Sequence, residues 1–137
     1  MTSQTNPGNT SKEHSSSKSE EKIVYLSNYH CRSYQDGSKA WYLNNALHRE
    51  DGPAVEYADG AKDWFINNKR HRIDGPAIEY PSGSKEWWIN NQCHRIDGPA
   101  VERFNGHKEW WLNHILYGEN NDFTNESWKH FQKTLIF

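Results

Sequence analysis

Apolar and polar residues recur with a period of 23 residues along most of this chain. Four consecutive units start at Asp36, Asp59, Ser82 and Asn105, and the spacing holds without insertion. The units read DGSKAWYLNNALHREDGPAVEYA, DGAKDWFINNKRHRIDGPAIEYP, SGSKEWWINNQCHRIDGPAVERF and NGHKEWWLNHILYGENNDFTNES. A fixed period of this length is typical of repeat proteins, in which each unit packs mainly against its neighbours.

Two short β-type runs surround a loop that ends in glycine where successive units meet. The runs Ala54–Tyr57 and Ala61–Ile66 flank the loop Ala58-Asp59-Gly60. A three-residue hairpin loop needs a left-handed residue at its end, and glycine adopts that conformation without a steric cost. The resulting register sets glutamates opposite lysines, which favours it, in the pairs Glu56–Lys62, Glu79–Lys85 and Glu102–Lys108.

A second turn and a return segment complete each unit. Asparagine tolerates positive φ, so Asn67-Asn68 and its equivalents predict a tight turn. The heptapeptide that follows, HRIDGPA at His71–Ala77, leads into the next strand, and its proline suits a strand entrance. We therefore predict a mostly β protein, a single-layer antiparallel β-hairpin solenoid of 23-residue units.

The two ends of the chain differ from the repeats. Residues 1–22 carry no apolar residue beyond Met1, which predicts a disordered polar tail, and the repeats then extend over residues 23–122. Residues 123–137 predict a helix that Thr124 or Asn125 caps, with Trp128, Phe131 and Leu135 on one face. So short a helix is marginal alone, so we expect it to cover the last hairpin.

The heptapeptide brings histidine, arginine and aspartate together three times, as in a metal or catalytic site. Equivalent residues in successive units should lie about 10 Å apart, too far to share one metal ion. No unit offers a separate nucleophile, and one chain seldom needs three copies of an active site. We predict a structural role, in which the aspartate accepts hydrogen bonds from its own turn and the glycine adopts an unusual backbone angle. The histidine and the arginine brace the return segment, with their planes lying on neighbouring aromatic rings.

We accordingly expect no catalytic residue, cofactor or metal ion. An enzyme or metal protein that uses His48, His71 and His94 with Asp51, Asp74 and Asp97 is the alternative.

Composition narrows the function further. A net charge of −2 and a pI near 6.4 give no general attraction to nucleic acid. No apolar run approaches the length of a membrane span, about 18 residues. The N-terminus has no basic stretch followed by an apolar one, so we expect no signal peptide. Cys31 and Cys93 have no metal-ligand or disulfide spacing. These features predict a soluble cytoplasmic protein.

Positions that vary among the units are where a partner-specific surface can form. The predicted register places an aromatic strip opposite the regular tryptophan row and carboxylates beside it. The candidate partner-binding residues are Tyr42, Phe65, Trp88, Trp111, Asp63, Glu86 and Glu109. An aromatic strip with an acidic edge would suit a basic or amphipathic protein. The alternative is that both faces only hold a one-layer sheet together.

The spacing of the repeated residues resembles the MORN repeat, in the variant form of bacterial, phage and large-virus proteins. The resemblance covers about Tyr34 to Gly118 and rests on Tyr57-x-x-Gly60-x-x-x-Trp64-x-x-Asn67-x-x-x-His71-x-x-Asp74-Gly75. The chain departs from the usual pattern in having Asn45, Asn68 and Asn91 at a turn where glycine is common, and a proline after each Asp-Gly.

The resemblance implies a non-enzymatic hairpin ribbon that acts as a protein–protein interaction module. Some variant-repeat proteins are antitoxins or immunity partners, so neutralisation of a cognate toxin is the alternative function. MORN repeats also bind phospholipids, which we do not expect here because no basic face accompanies the repeats. The partner protein is unidentified, and the exposed ribbon end allows either a monomer or an end-stacked homodimer.

Overall fold

Short strands in regular succession make up most of the chain, and one helix ends it. The computed structural model describes residues 28–120 and 123–135, so the tail predicted over residues 1–22 lies outside the described residues. The strands are β1 (Tyr29–Ser33), β2 (Lys39–Leu43), β3 (Ala46–Leu47), β4 (Val55–Glu56), β5 (Lys62–Asp63), β6 (Phe65–Ile66), β7 (Lys69–Arg70), β8 (Ile78–Glu79), β9 (Lys85–Glu86), β10 (Trp88–Ile89), β11 (Gln92–Cys93), β12 (Val101–Glu102), β13 (Lys108–Leu112) and β14 (Ile115–Glu119). The helix α1 spans Asn125–Leu135.

The strands form one long antiparallel sheet and two small ones. The long sheet has the order β1-β2-β4-β5-β8-β9-β12-β13-β14, with β3 paired to β2, while β6–β7 and β10–β11 form two-stranded sheets. The predicted antiparallel hairpin solenoid is thus confirmed. In the second and third units the second predicted strand is interrupted at the tryptophan, so these units contribute a second, smaller hairpin around the asparagine pair. In the first and last units this strand continues through Trp41 and Trp110.

The predicted register of the main hairpins is confirmed. Glu56 pairs with Lys62, and the two corresponding pairs in later units are also present. The same glutamates pair with lysines of the preceding hairpin, as in Lys39–Glu56, so acid and base alternate across the sheet. Gly60 has φ 96°, and its N–H donates to Tyr57 O at 2.9 Å. Glycine is required in this loop because its backbone is left-handed.

The asparagine pair forms a two-residue turn with positive φ at both residues, 49° at Asn67 and 64° at Asn68. This is the backbone of a type I′ hairpin, which asparagine adopts more readily than most residues. The turn also joins its unit to the preceding one. Asn67 N–H donates to His48 Nδ1 at 3.1 Å, Asn68 N–H donates to Leu47 O at 2.9 Å, and Leu47 N–H donates to Asn68 Oδ1 at 2.7 Å.

These three hydrogen bonds, which we call the junction, recur between all later units. The second junction joins Asn90 and Asn91 to His71 and Arg70 in the same way. In the third junction His114 replaces the second asparagine, and its Nδ1 accepts from Cys93 N–H at 3.1 Å. Successive units are therefore related by one repeated set of hydrogen bonds, one between backbone groups and two from backbone N–H groups to side chains.

The core lies between the sheet and the side chains of its own hairpins. Ala54, Ala77 and Ala100, the last residues of the heptapeptides, are fully buried. Cys93, Ala100 and Val101 form a buried cluster, against which Trp87, Trp88 and Trp111 pack. Tryptophan rings therefore provide packing that aliphatic side chains provide in a thicker core.

Helix α1 covers the last unit, as predicted. Thr124 Oγ1 accepts a hydrogen bond from Ser127 N–H at 3.1 Å and so caps the helix. Trp128 is buried, with its ring close to those of Tyr117 and Phe123. In the described part of the chain no helix has both the length and the apolar character to cross a bilayer.

The junction generates a prediction about stability. Asn91→Gly keeps the positive φ available but removes the carboxamide oxygen that accepts from Arg70 N–H at 2.9 Å. We expect it to lower the free energy of unfolding by about 1 kcal/mol in urea denaturation. Asn90→Gly makes the same backbone change one position earlier and leaves this bond intact. Equal losses in the two variants would contradict a role for the side-chain bond.

Candidate functional site

The arginine of each heptapeptide lies over the tryptophan ring of its unit, as predicted. Arg72 Cζ is 4.0 Å from the ring centroid of Trp64. Its Nε donates to Asp74 Oδ1 at 3.1 Å, and Nη1 donates to Pro76 O at 3.0 Å and to Glu79 Oε2 at 3.1 Å. The stack and the bonds hold the return segment onto the sheet.

The same arrangement occurs in all three heptapeptides. Arg49 lies 4.0 Å from Trp41 and Arg95 lies 3.9 Å from Trp87. The glycine of the motif makes room for this arginine, since a Cβ on Gly75 would lie 2.9 Å from Arg72 Cζ.

Two details of the predicted structural role are therefore wrong. The aspartate accepts from the arginine side chain instead of from its own turn, as Asp74 does from Arg72. In the described part of the chain, none of the heptapeptide glycines has a positive φ. They leave room for the arginine, which approaches them closely, and they do not adopt an unusual backbone angle.

The histidine and the aspartate of a heptapeptide contact different groups. His71 Nδ1 accepts from Asn90 N–H in the next unit, whereas Asp74 binds Arg72. In the three junctions, a backbone N–H of the next unit thus donates a hydrogen bond to Nδ1 of His48, His71 or His94. Burial raises the pKa of the Cys93 thiol to about 12, so this buried thiol is not a thiolate nucleophile at neutral pH.

The residues of the aromatic strip, defined as Tyr42, Phe65, Trp88 and Trp111, have partly buried side chains. Its predicted acidic edge is corrected by the structure, because Asp63 is only 2% exposed and Glu86 only 8%. Asp63 accepts two hydrogen bonds from Arg70, at 2.7 and 2.6 Å. Burial raises the pKa of the Asp63 carboxyl, and Arg70 opposes that shift.

Glu86 is also occupied within the chain. It accepts from Trp88 Nε1 at 2.9 Å, from Arg103 Nη1 at 3.0 Å and from the Tyr80 hydroxyl at 3.3 Å. These carboxylates hold side chains of the sheet in place, and a partner cannot reach them without displacing those contacts. Sequence reasoning missed Arg70 and Arg103 as the partners of these carboxylates. Arg70 also lies 5.2 and 5.3 Å from the rings of Phe65 and Trp88.

The face that carries the regular tryptophans contains open grooves between successive heptapeptides. The first groove lies between the heptapeptides of Arg49 and Arg72, and the second between those of Arg72 and Arg95. Their cavity volumes are about 770 and 740 Å³. Every residue that lines the second groove lies 23 positions after one that lines the first, as Trp87 follows Trp64. The two grooves are copies of one surface.

The third copy of this surface is covered by α1. Adding another 23 positions leads to Ile96, Trp110, Tyr117 and Gly118, all of which contact the C-terminal segment. Ile96 O accepts hydrogen bonds from Trp128 Nε1, at 2.6 Å, and from Gln132 Nε2. The Tyr117 ring centroid lies 6.3 and 5.0 Å from those of Trp128 and Phe131.

A change in the last unit explains how the helix fits there. Gly118 stands where the heptapeptides have arginine, and a Cβ on it would lie 2.4 Å from the Phe123 ring. That ring packs on Trp110 with centroids 5.5 Å apart. Phe123 therefore covers Trp110 as the arginines cover the other tryptophans. The sequence shows that Tyr117-Gly118 replaces the histidine and arginine of the other units, but it does not show that Gly118 leaves room for Phe123.

Comparison with known proteins assigns no family to the chain. No family model, curated protein or solved structure matches it. The resemblance to the MORN repeat therefore stays a prediction, and what the chain binds has to be inferred from its own contacts.

The histidine junctions generate a prediction about pH. Burial lowers the pKa of His94, whose Nδ1 must be unprotonated to accept from Asn113 N–H at 2.9 Å. The unfolded chain then binds more protons than the folded one, so this contribution is present above about pH 6.5 and is lost as the pH falls.

Urea denaturation of the chain and of His94→Asn between about pH 5 and pH 8 measures this contribution. We expect a shallower pH dependence for His94→Asn, whose carboxamide accepts a bond without titrating. An unchanged pH dependence would show that His94 is not one of the responsible groups.

Proposed function

We propose that the chain is a MORN-like protein–protein interaction module without catalytic activity, and that its first and second grooves bind an amphipathic helix of a protein partner. The observation that carries the proposal comes from the chain's own C-terminal helix. Helix α1 occupies the third copy of the same surface, and it shows which contacts a helix makes there.

The contacts of α1 indicate what such a helix needs. An indole or carboxamide N–H reaches the backbone carbonyl of Ile96, and rings three residues apart pack on Tyr117. In the second groove the matching carbonyl belongs to Ile73 and the matching side chain is His94. A helix with tryptophan, an aromatic residue at i+3 and glutamine at i+4 would repeat these contacts.

The polarity of the grooves favours a helix of this kind over a charged peptide. In the second groove, Arg72 and Arg95 are paired with Asp74 and Asp97 of their own heptapeptides. Internal pairing leaves no uncompensated charge to attract a strongly acidic or basic ligand. The side chain of Ile73, which lines both grooves, is 84% exposed and offers apolar area for burial.

The proposal is tested with a fluorescein-labelled peptide of residues 123–137, added to the complete protein and followed by fluorescence anisotropy. We expect weak saturable binding, since a short isolated helix must first be ordered. Ile73→Asp should weaken binding at least tenfold because it places a charge at the lip of both grooves.

Two controls make the result specific. Phe104→Asp introduces the same charge at another apolar residue, 73% exposed, that lines neither groove, and it should leave binding unchanged. A peptide with Trp128→Ala should lose affinity. Equal binding to the Ile73→Asp and Phe104→Asp proteins, or no binding to the unaltered protein, would contradict the proposal.

A further inference from the structure

Two departures from the repeat meet at one point beside Glu109. His107 stands at a position that otherwise holds a small residue, namely Ser38, Ala61 and Ser84. Glu119 pairs directly with Glu109, where the earlier units place an apolar partner, in the pairs Ala40–Val55, Asp63–Ile78 and Glu86–Val101. These substitutions lie at unrelated positions of the unit, yet their side chains converge.

The three side chains have the separations of metal ligands. His107 Nε2 lies 3.0 Å from Glu109 Oε1 and 3.5 Å from Glu119 Oε2, and one ligand atom of each residue lies within 4.8 Å of the others. Ligands bound tetrahedrally to zinc at about 2.0–2.1 Å lie about 3.3 Å from one another. The observed distances fall on both sides of that value.

The charge at this point differs from that of the equivalent positions. Asp63 is paired with Arg70, and Glu86 is paired with Arg103. Glu109 instead has a second carboxylate opposite it on the neighbouring strand, an arrangement that destabilises a sheet when it is not compensated. The only basic side chain recorded with these carboxylates in the described residues is His107. A divalent cation would supply the missing positive charge.

The surroundings suit an open site and not a closed one. Glu109 Oε2 accepts from Trp111 Nε1 at 2.7 Å, which fixes the carboxylate and leaves its other oxygen toward His107. The pairing of β13 with β14 shifts at Trp110/Trp111, and bulges of this kind redirect neighbouring side chains. The side chains of His107, Glu109 and Glu119 are 28%, 17% and 51% exposed, so an ion and a water molecule can reach them.

We propose that His107 Nε2, Glu109 Oε1 and Glu119 Oε2 bind one zinc-class divalent cation, with water in the fourth position. The imidazole ligand favours zinc over magnesium or calcium, which prefer oxygen ligands. The site bridges β13 and β14 and lies apart from the two grooves. Its presence therefore does not depend on helix binding.

The test is an isothermal titration of the complete, tag-free protein with zinc chloride. We expect one site and a higher melting temperature with zinc, because the ion binds the folded chain. His107→Ser restores the residue of the first and third units and should therefore fold. Loss of a group that only hydrogen-bonds to a metal ligand costs about 10- to 100-fold in metal affinity. Loss of the ligand itself in His107→Ser should lower zinc affinity by more than that.

Matched measurements separate this site from other histidines. Glu119→Gln should also weaken binding, whereas His130→Ala, on an exposed position of α1, should not. The Trp111 indole N–H resonance should shift on zinc addition, and that of Trp41 should not. Absence of zinc binding in the unaltered protein, or unchanged affinity in both the His107→Ser and Glu119→Gln variants, would overturn the proposal.

Discussion

The junction between successive units is the contact on which the rest of the structure depends. Two consecutive residues with positive φ turn their N–H groups toward the preceding unit, where a histidine Nδ1 and a backbone carbonyl accept them. Asparagine serves here because it tolerates this backbone and because its carboxamide accepts one more N–H in return. A repeated contact of this kind imposes a constant step from unit to unit, which spaces the tryptophans and opens one groove per step.

The last unit shows what the array requires at its end. The last unit has Gly118 in place of the arginine, so Trp110 lacks the covering that the arginines provide in their own units, and the chain supplies Phe123 and α1 instead. Gly118 permits this because any side chain there would meet the Phe123 ring. The helix therefore caps the array. It also covers, in the last unit, the surface that stays uncovered in the first and second grooves.

Features set by neighbouring residues could be predicted from the sequence. Gly60 and the pairing of Glu56 with Lys62 specified the hairpin register, and the asparagine pair specified its turn. The helix followed from the spacing of its aromatic residues.

Features that depend on contacts between hairpins could not be predicted. The bond of Arg70 to Asp63 joins a residue of the small hairpin to one of the long sheet, and no alternating pattern predicts the small hairpin, so the burial of Asp63 could not be predicted. His107 Nε2 lies 3.5 Å from Glu119 Oε2, and the pairing of their strands, β13 and β14, shifts at Trp110/Trp111. The 23-residue period does not predict this shift. The arginine stack similarly gave the heptapeptide glycine a role different from the one predicted.

The equivalence of the units can be measured directly by inserting a second copy of residues 71–93 after Cys93. The one new junction then joins a histidine and an asparagine pair as the second junction does, with Cys93 before the histidine as in the third. Urea denaturation of the longer chain should show one cooperative transition, with a higher free energy of unfolding and a larger m-value than the natural chain. A lower stability, or loss of the cooperative transition, would contradict the repeated junction as the organising contact of this fold.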